Sequence, residues 1–424
     1  MPHDHQTRQE NHHGAVRLAL VVLVPVAVLT ITAMIWLWPS ASDEEPWTGP
    51  QRFSAEVTKI ALEPCPPPGD GTPLPPGAVP TECGKVVARL TDGPERSKEF
   101  VTDIPNGPGA PSVAVGDEVV VIYLPDALSG SPYQIIDHQR DTQLWILLLA
   151  FALAVVAFGR WRGVTALAGL AVTFAILLLF VVPAILDGRS PLLVAIVGSA
   201  AIMLVVLYLT HGFTVPTSMA VLGTLAALTL TGLLSAATTA AANLTGVGSE
   251  ESSFLTIMFA DVNMRGLLLA GILIGSLGVL DDVAVTQAYT VDELARANPT
   301  LRFSGLYRAA TRVGRAHIAS VINTIVLAYA GASLPLLILI AAGNQPLGEV
   351  LTSEFVAQEV VRSVVGTIGL IAAVPITTAL AALTARGTAP RLHAPARHRH
   401  RRLDVLESAW TPADDDRYDA RTGT

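Results

Sequence analysis

Eight long apolar stretches, with their flanking arginines lying consistently to one side, constrain this chain more than anything else in it. They run approximately over 17–38, 143–159, 163–186, 191–210, 214–234, 266–283, 318–342 and 363–384. A bilayer core about 30 Å thick takes roughly 20 apolar residues of helix to cross, and each stretch supplies most of that length. With the first residues placed inside, the inner connections are Arg160-Trp161-Arg162, the turn at His211, the segment near 284–317 and the tail. The segment near 284–317 holds Arg296, Arg302, Arg308, Arg312 and Arg315, and the tail holds six more arginines between Arg386 and Arg402. The outer loops hold only Arg189, Arg265 and Arg362. This positive-inside asymmetry predicts a multi-pass protein of the cell membrane with both termini cytoplasmic. Trp36, Trp38 and Trp145 fall at one water interface and Trp161 at the other.

The expected architecture is an all-α polytopic membrane bundle of about eight transmembrane helices. A small extracytoplasmic β domain, barrel- or OB-like, separates the first helix from the second. In order, the sequence divides into a His-rich cytoplasmic tail (1–16), an anchor (17–38), the β domain (39–142), a seven-helix membrane domain (143–384) and a basic, disordered cytoplasmic tail (385–424). Pro39-Ser40-Ala41-Ser42 is a weak cleavage site after a long apolar core, so the first stretch reads as an uncleaved anchor, with cleavage as the competing reading.

The net charge of −8 is concentrated in one place. Residues 39–142 carry seven basic against sixteen acidic side chains, a net −9, which leaves about +1 for the rest. Short alternating runs at Phe53–Val57, Lys85–Leu90 and Val119–Tyr123, punctuated by Gly, Pro and Asp, read as strands of a compact sheet. A domain this acidic repels nucleic acid. The two cysteines of the chain, Cys65 and Cys83, both lie there across a Pro-rich loop, which predicts a disulfide. Arginine outnumbers lysine 24 to 3, as in bacteria with GC-rich coding.

Polar residues surviving in apolar stretches mark where chemistry belongs. Asp281 and Asp282 end the sixth stretch, with Asp281 about 24 Å along the helix from Arg265. His317 opens the seventh, followed by Asn323 and Thr324, and Thr377 and Thr378 follow Pro375 near the inner end of the eighth. Topology gathers Asp281, Asp282, His317, Asn323, Thr377 and Thr378 into the inner half, with His211 at the same level. Asn298-Pro299 divides the basic segment into two short helices, and Arg308, Arg312 and Arg315 share one face of the second. Leu306, Ala310 and Val313 form its other face, as for a helix lying along the membrane surface. Two readings of the aspartates stand: a cation or proton site, or ion pairs to Arg312 and Arg315 that tie the basic segment to the helix end. For Asn323 and the threonines the competing role is hydrogen bonding between helices. Asp282 is expected to matter more than Asp281, because Thr286 and Tyr289 share its helix face. Gly271 and Gly275 form a small-xxx-small face that lets a neighbouring helix approach.

Three runs within one block stand out: Gly278-Val-Leu-Asp-Asp-Val-Ala-Val-Thr-Gln-Ala, Val313-Gly-Arg-Ala-His-Ile-Ala-Ser and Asn323-Thr-Ile-Val-Leu-Ala-Tyr-Ala-Gly. Glu359-Val-Val-Arg-Ser-Val-Val-Gly and Pro375-Ile-Thr-Thr follow. Together they resemble the YibE/F family of bacterial membrane proteins over nearly the whole chain. That resemblance implies a multi-spanning membrane protein of the permease kind and assigns no substrate.

No Gly-x-x-x-x-Gly-Lys loop, His-Glu-x-x-His helix or Gly-x-Ser-x-Gly elbow occurs, so nothing points to an enzyme, a cofactor or a resident metal. The histidines at 3, 5, 12, 13, 393, 398 and 400 read as solvated tails, with transition-metal binding as the alternative. The expectation is a secondary permease for a small solute, coupled to protons or cations, moving it through the last three helices. The alternative is a non-transport envelope protein whose exported domain binds a partner or cell-wall component. The implied partners are the lipid bilayer, a small solute and a coupling ion, with a homo-oligomer left open.

Overall fold

The computed structural model describes residues 6–40, 50–65, 83–106, 109–125, 131–343 and 346–385. His3, His5 and the tail histidines His393, His398 and His400 lie outside these residues, as does the Pro-rich loop 66–82.

Helix α1 (Gln6–Trp36) precedes five antiparallel strands: β1 (Arg52–Glu63), β2 (Cys83–Leu90), β3 (Glu99–Asp103), β4 (Glu118–Tyr123) and β5 (Tyr133–His138). Their order is β3-β2-β1-β4-β5, and the sheet curls into a half-barrel that brings its edge strands β3 and β5 near each other. The period-2 alternation read from the sequence decides which side is buried. Ala55, Val57, Val86, Ala88, Phe100, Val119, Val121 and Tyr133 face inward, ringed by the aromatic contacts of Tyr133 with Phe53, Phe100 and Tyr123. Cys65 and Cys83 are joined, next to the pairing of Glu63 with Cys83 at the end of the β1–β2 ladder. Closing that loop stabilises the folded state by about 3 kcal/mol in the chain-entropy view. Gly84 must be glycine: its φ is +145° and a Cβ there would run into the carbonyl of Ala61.

Then come the helices α2 (Asp141–Gly159), α3 (Trp161–Ile176), a π-helical turn (Leu177–Val181) and α4 (Val182–Leu186). They are followed by α5 (Pro191–His211), α6 (Val215–Ala241), α7 (Glu250–Met258) and α8 (Met264–Ala297). The series closes with α9 (Phe303–Ala332), α10 (Leu334–Ala342), α11 (Leu347–Thr352) and α12 (Glu354–Ala385). Seven helical segments among the described residues are long and apolar enough to cross a membrane: α2, the segment Trp161–Leu186, α5, α6, α8, α9 and α12. Within α1, Val21–Trp36 forms a further apolar run. Caps set several starts, as the sequence permits: the Thr214 hydroxyl accepts from the Thr217 amide, Asn263 accepts from the Gly266 amide at 2.7 Å, and Ser249 and Ser252 form a reciprocal box.

The bundle is built on α6, α8 and α12, each packed on the other two, with α5 against α8 and α9 against α12. Small residues decide how closely they pack. A Cβ at Gly369 of α12 would overlap the Thr231 hydroxyl of α6. One at Gly223 of α6 would overlap Thr377, and one at Gly314 of α9 would sit 2.7 Å from Val374. The pair expected to serve this role, Gly271 and Gly275, does not. A Cβ at Gly271 meets nothing within 4 Å, and one at Gly275 meets only the Tyr329 hydroxyl at 3.9 Å. Their face turns away from the three-helix seam. Thr231, Ser276 and Thr378 remain buried because each hydroxyl donates to a carbonyl one turn back in its own helix.

The basic segment differs from its sequence reading. α8 does not stop at 283 but continues through both aspartates to Ala297, and α9 starts at Phe303 and runs without a break into the seventh stretch. Only the link around Pro299, which has no amide hydrogen to continue a helix, separates them. The face of α9 formed by Leu306, Ala310, Gly314 and Ile318 is buried against the bundle, whereas Val313 is exposed. This stretch packs on protein rather than forming a separate surface helix.

Candidate functional site

A cavity of about 1050 Å³ lies between α3, α5 and α8. Along α8 it reaches from Ile274 to Tyr289, fifteen residues or about 22 Å. One end is apolar, walled by Leu177 of the π turn, Ile202 and Ile274. The other is polar and reaches the surface at the exposed Arg162 and His211. Asp281 sits about midway, with Asp282 beside it.

Helix geometry separates the two carboxylates. Neighbouring residues project about 100° apart, so Asp281 turns toward the packed interior and is half-buried while Asp282 is exposed. Oδ1 of Asp281 is enclosed and accepts no hydrogen bond among the described residues. An enclosed ionised oxygen without a donor is costly, and a proton or a cation is what would satisfy it. At the polar end, Tyr289 is positioned by hydroxyl contacts with Thr214 (3.3 Å) and Thr217 (3.2 Å) and packs 6.0 Å from the His211 ring. Thr210 Oγ1 lies 2.7 Å from His211 Nδ1. The cavity thus offers two carboxylates, a guanidinium, an imidazole and a phenol around one space.

The residues selected from sequence divide between several places. Asp281 and Asp282 line this cavity together with His211. His317 and Asn323 lie on exposed faces of α9, away from it. Thr377 and Thr378 are fully buried in the α6–α12 seam and do not line it either; Thr377 Oγ1 has no hydrogen-bond partner among the described residues. Arg312 and Arg315 are exposed, and among the described residues neither forms an ion pair with an aspartate. Of the two aspartates, Asp281 is the deeper one. Arg162, Thr173 and Thr210 complete the lining and were not singled out. Their one sequence signal is Gly169, which lets α3 close on Val206 and Thr210 of α5. No group of three or more His, Cys, Asp or Glu side chains suited to a metal occurs among the described residues.

No curated protein and no solved structure matches the chain. A family model, described as YibE/F-like protein, matches residues 147–387. The match takes in the cavity and the three-helix seam and leaves α1 and the sheet outside, a narrower extent than the sequence runs implied. Covering more than half of the sequence, it places this chain in the YibE/F-like protein family.

Proposed function

We propose that this chain is a multi-pass protein of the cell membrane acting as a secondary permease for a small solute, with Asp281 carrying the coupling proton or cation. The observation that carries the reading is the enclosed, unpartnered carboxylate oxygen at mid-depth of a cavity that reaches the surface at one end. A transporter needs such a group: it must be satisfied by something that comes and goes. The volume, about 1050 Å³, lies just above the range of small-molecule sites, about 300–1,000 Å³. The mixed lining suits a polar solute carrying an ionised group. The route lies along α3, α5 and α8 rather than through the last three helices, α8, α9 and α12, where a Cβ at Gly314 of α9 would sit 2.6 Å from Gln287 of α8 and 2.7 Å from Val374 of α12. The sheet, with β3 beside β5, follows the strand order of a small five-stranded Greek-key barrel on the outer side.

Reconstitution into proteoliposomes tests this, with solutes nominated by comparing metabolites of a deletion strain with its parent. Flux should respond to an imposed proton or sodium gradient. Asp281→Asn should abolish the response with folded yield retained, and Asp282→Asn should leave most of it. Retained coupling in Asp281→Asn defeats the assignment. Absence of any flux, together with a specific partner captured by the outer sheet, favours the envelope reading instead.

A further inference from the structure

A second cavity, of about 590 Å³, lies on another side of the bundle, walled by α1, α5, α6, α8 and α12. Its body is apolar, formed by Leu23, Val24 and Ala27 of α1 with Leu204, Met219 and Ala288 opposite. Its mouth is polar. There the last turn of α8 brings Asp292 and Arg296 together at 2.7 Å, and Thr214, Ser218 and Tyr208 contribute hydroxyls. The Arg296 side chain is 68% exposed and that of Asp292 16%, so the arginine faces out and the carboxylate faces the cavity. Tyr208 stacks on Phe213 at 4.6 Å, and Phe213 is 88% exposed.

Depth defines the occupant. The apolar run of this segment begins after Arg17 in the sequence, so Leu23 to Ala27 lie about 9–15 Å beyond that arginine along a helix. The mouth is made by residues at or near the ends of α5, α8 and α12 and the start of α6. Polar mouth and apolar body therefore meet where headgroups give way to acyl chains. The charges at the mouth are one anion and one cation a turn apart, the complement of a headgroup carrying a phosphate and an ammonium. Such a headgroup can exchange partners with the ion pair, phosphate to Arg296 and ammonium to Asp292, with no charge left uncompensated. The aromatic pair beside it also favours a cation.

We infer that this cavity is a binding site for a zwitterionic phospholipid of the surrounding bilayer, its acyl chain between α1 and the bundle and its headgroup across Asp292 and Arg296. The site is separate from the Asp281 cavity and does not depend on transport.

The test uses the full chain in detergent, delipidated and titrated with lysophosphatidylethanolamine or lysophosphatidylglycerol of equal acyl length, with bound lipid counted by native mass spectrometry. The wild-type protein should prefer the ethanolamine headgroup by about fivefold or more, as one added charge pair allows. Asp292→Asn should erase that preference by weakening the ethanolamine lipid and not the glycerol one. Arg296→Gln should weaken both. Ala27→Phe, which fills the body from the outer helix, should abolish both. Equal binding of the two headgroups by the wild-type protein, or a preference unchanged in Asp292→Asn, overturns the headgroup assignment even if Ala27→Phe fails to fold. Unchanged binding in a monodisperse Ala27→Phe protein overturns the cavity itself. Equal binding of an alkyl ammonium lacking phosphate overturns the role of Arg296.

Discussion

Gly369→Ala tests whether the α6–α12 contact holds the bundle. An ideal Cβ on Gly369 overlaps the Thr231 hydroxyl and lies 3.2 Å from Thr231 Cβ and 3.5 Å from its Cγ2. Thr231 is fully buried and its hydroxyl donates to the Ala227 carbonyl at 2.8 Å. Being β-branched, it has few helical rotamers to escape into. Relief therefore costs the hydrogen bond, about 1 kcal/mol, and either a poor rotamer or a separation of helices, about 1–2 kcal/mol more. Against this stands the helix preference for alanine, about 1 kcal/mol. Gly369→Ala should thus destabilise by about 1–2 kcal/mol. Thr231→Ala alone, leaving a void of one methyl and one hydroxyl, should cost a similar amount. In the double variant the overlap disappears, so the cycle should show a favourable coupling of about 2–3 kcal/mol. Reversible unfolding in mixed micelles with increasing dodecyl sulfate, followed by circular dichroism, measures all four proteins. A wild-type-like Gly369→Ala protein, or four values additive within about 0.5 kcal/mol, would falsify the close-contact account.

Two further perturbations address other parts of the molecule. One carboxylate oxygen of Glu354 accepts from the Thr245 amide (2.7 Å), the Thr245 hydroxyl (2.5 Å), the Gly246 amide (3.1 Å) and Gln358 Nε2 (3.0 Å). Glu354→Ala should destabilise by about 1–3 kcal/mol and speed amide exchange at Thr245 and Gly246, with Glu354→Gln in between; unchanged exchange refutes the latch. In the sheet domain, burial and then the bond to Glu95 (2.6 Å) push the Tyr133 hydroxyl from 10.0 up to about 12. The folded state holds this proton more tightly than the unfolded chain. Its contribution is therefore complete below pH about 10 and is lost as pH rises toward 12. Tyr133→Phe should remove that alkaline loss, and the missing step in the phenolate absorbance should lie near 12; a step near 10 refutes the shift.

How much of this could be read from the sequence depends on the range of the physics involved. Hydropathy and alternation act locally, so the apolar helices, the inward residues of the sheet and the Cys65–Cys83 bond were legible. The break at Pro299 was legible for the same reason, but the helices on either side were not, because Asp281 and Asp282 look like an end and instead continue α8. Neighbour relations were not legible. Gly271 and Gly275 have the spacing of a packing face, yet the contacts fall at Gly223, Gly314 and Gly369, whose partners lie in distant helices. The same holds for the site. Asp281 and Asp282 stand out as charges in an apolar run, but only the packing of α3 on α5 and of α5 on α8 brings Arg162 and Thr210 around the same cavity and leaves His317 and Asn323 outside.

The packing also specifies which wall of the cavity can move. α8 is committed: Leu273, Leu277, Leu280, Ala284 and Ala288 are buried in the core it shares with α6 and α12. α3 is held far less, with only Gly163 and Gly169 buried over Trp161–Ile176, and it gives way to a π turn at Leu177, where the cavity ends. Such turns insert one residue into the helical register and often mark functional positions. If solute passage requires α3 to swing from α5, tying the two together must stop it. Gly169 and Val206 suit the purpose: a Cβ built on Gly169 lies 3.9 Å from Val206 Cβ, within the 3.5–4.5 Å that disulfides span. Gly169→Cys with Val206→Cys, in a Cys65→Ser/Cys83→Ser background, should form the bond under oxidant and lose flux, with flux returning on reduction. Each single cysteine should be unaffected by oxidant. Full flux in the oxidised, fully cross-linked protein would show that α3 and α5 move together or not at all, and would transfer the gating role to another wall.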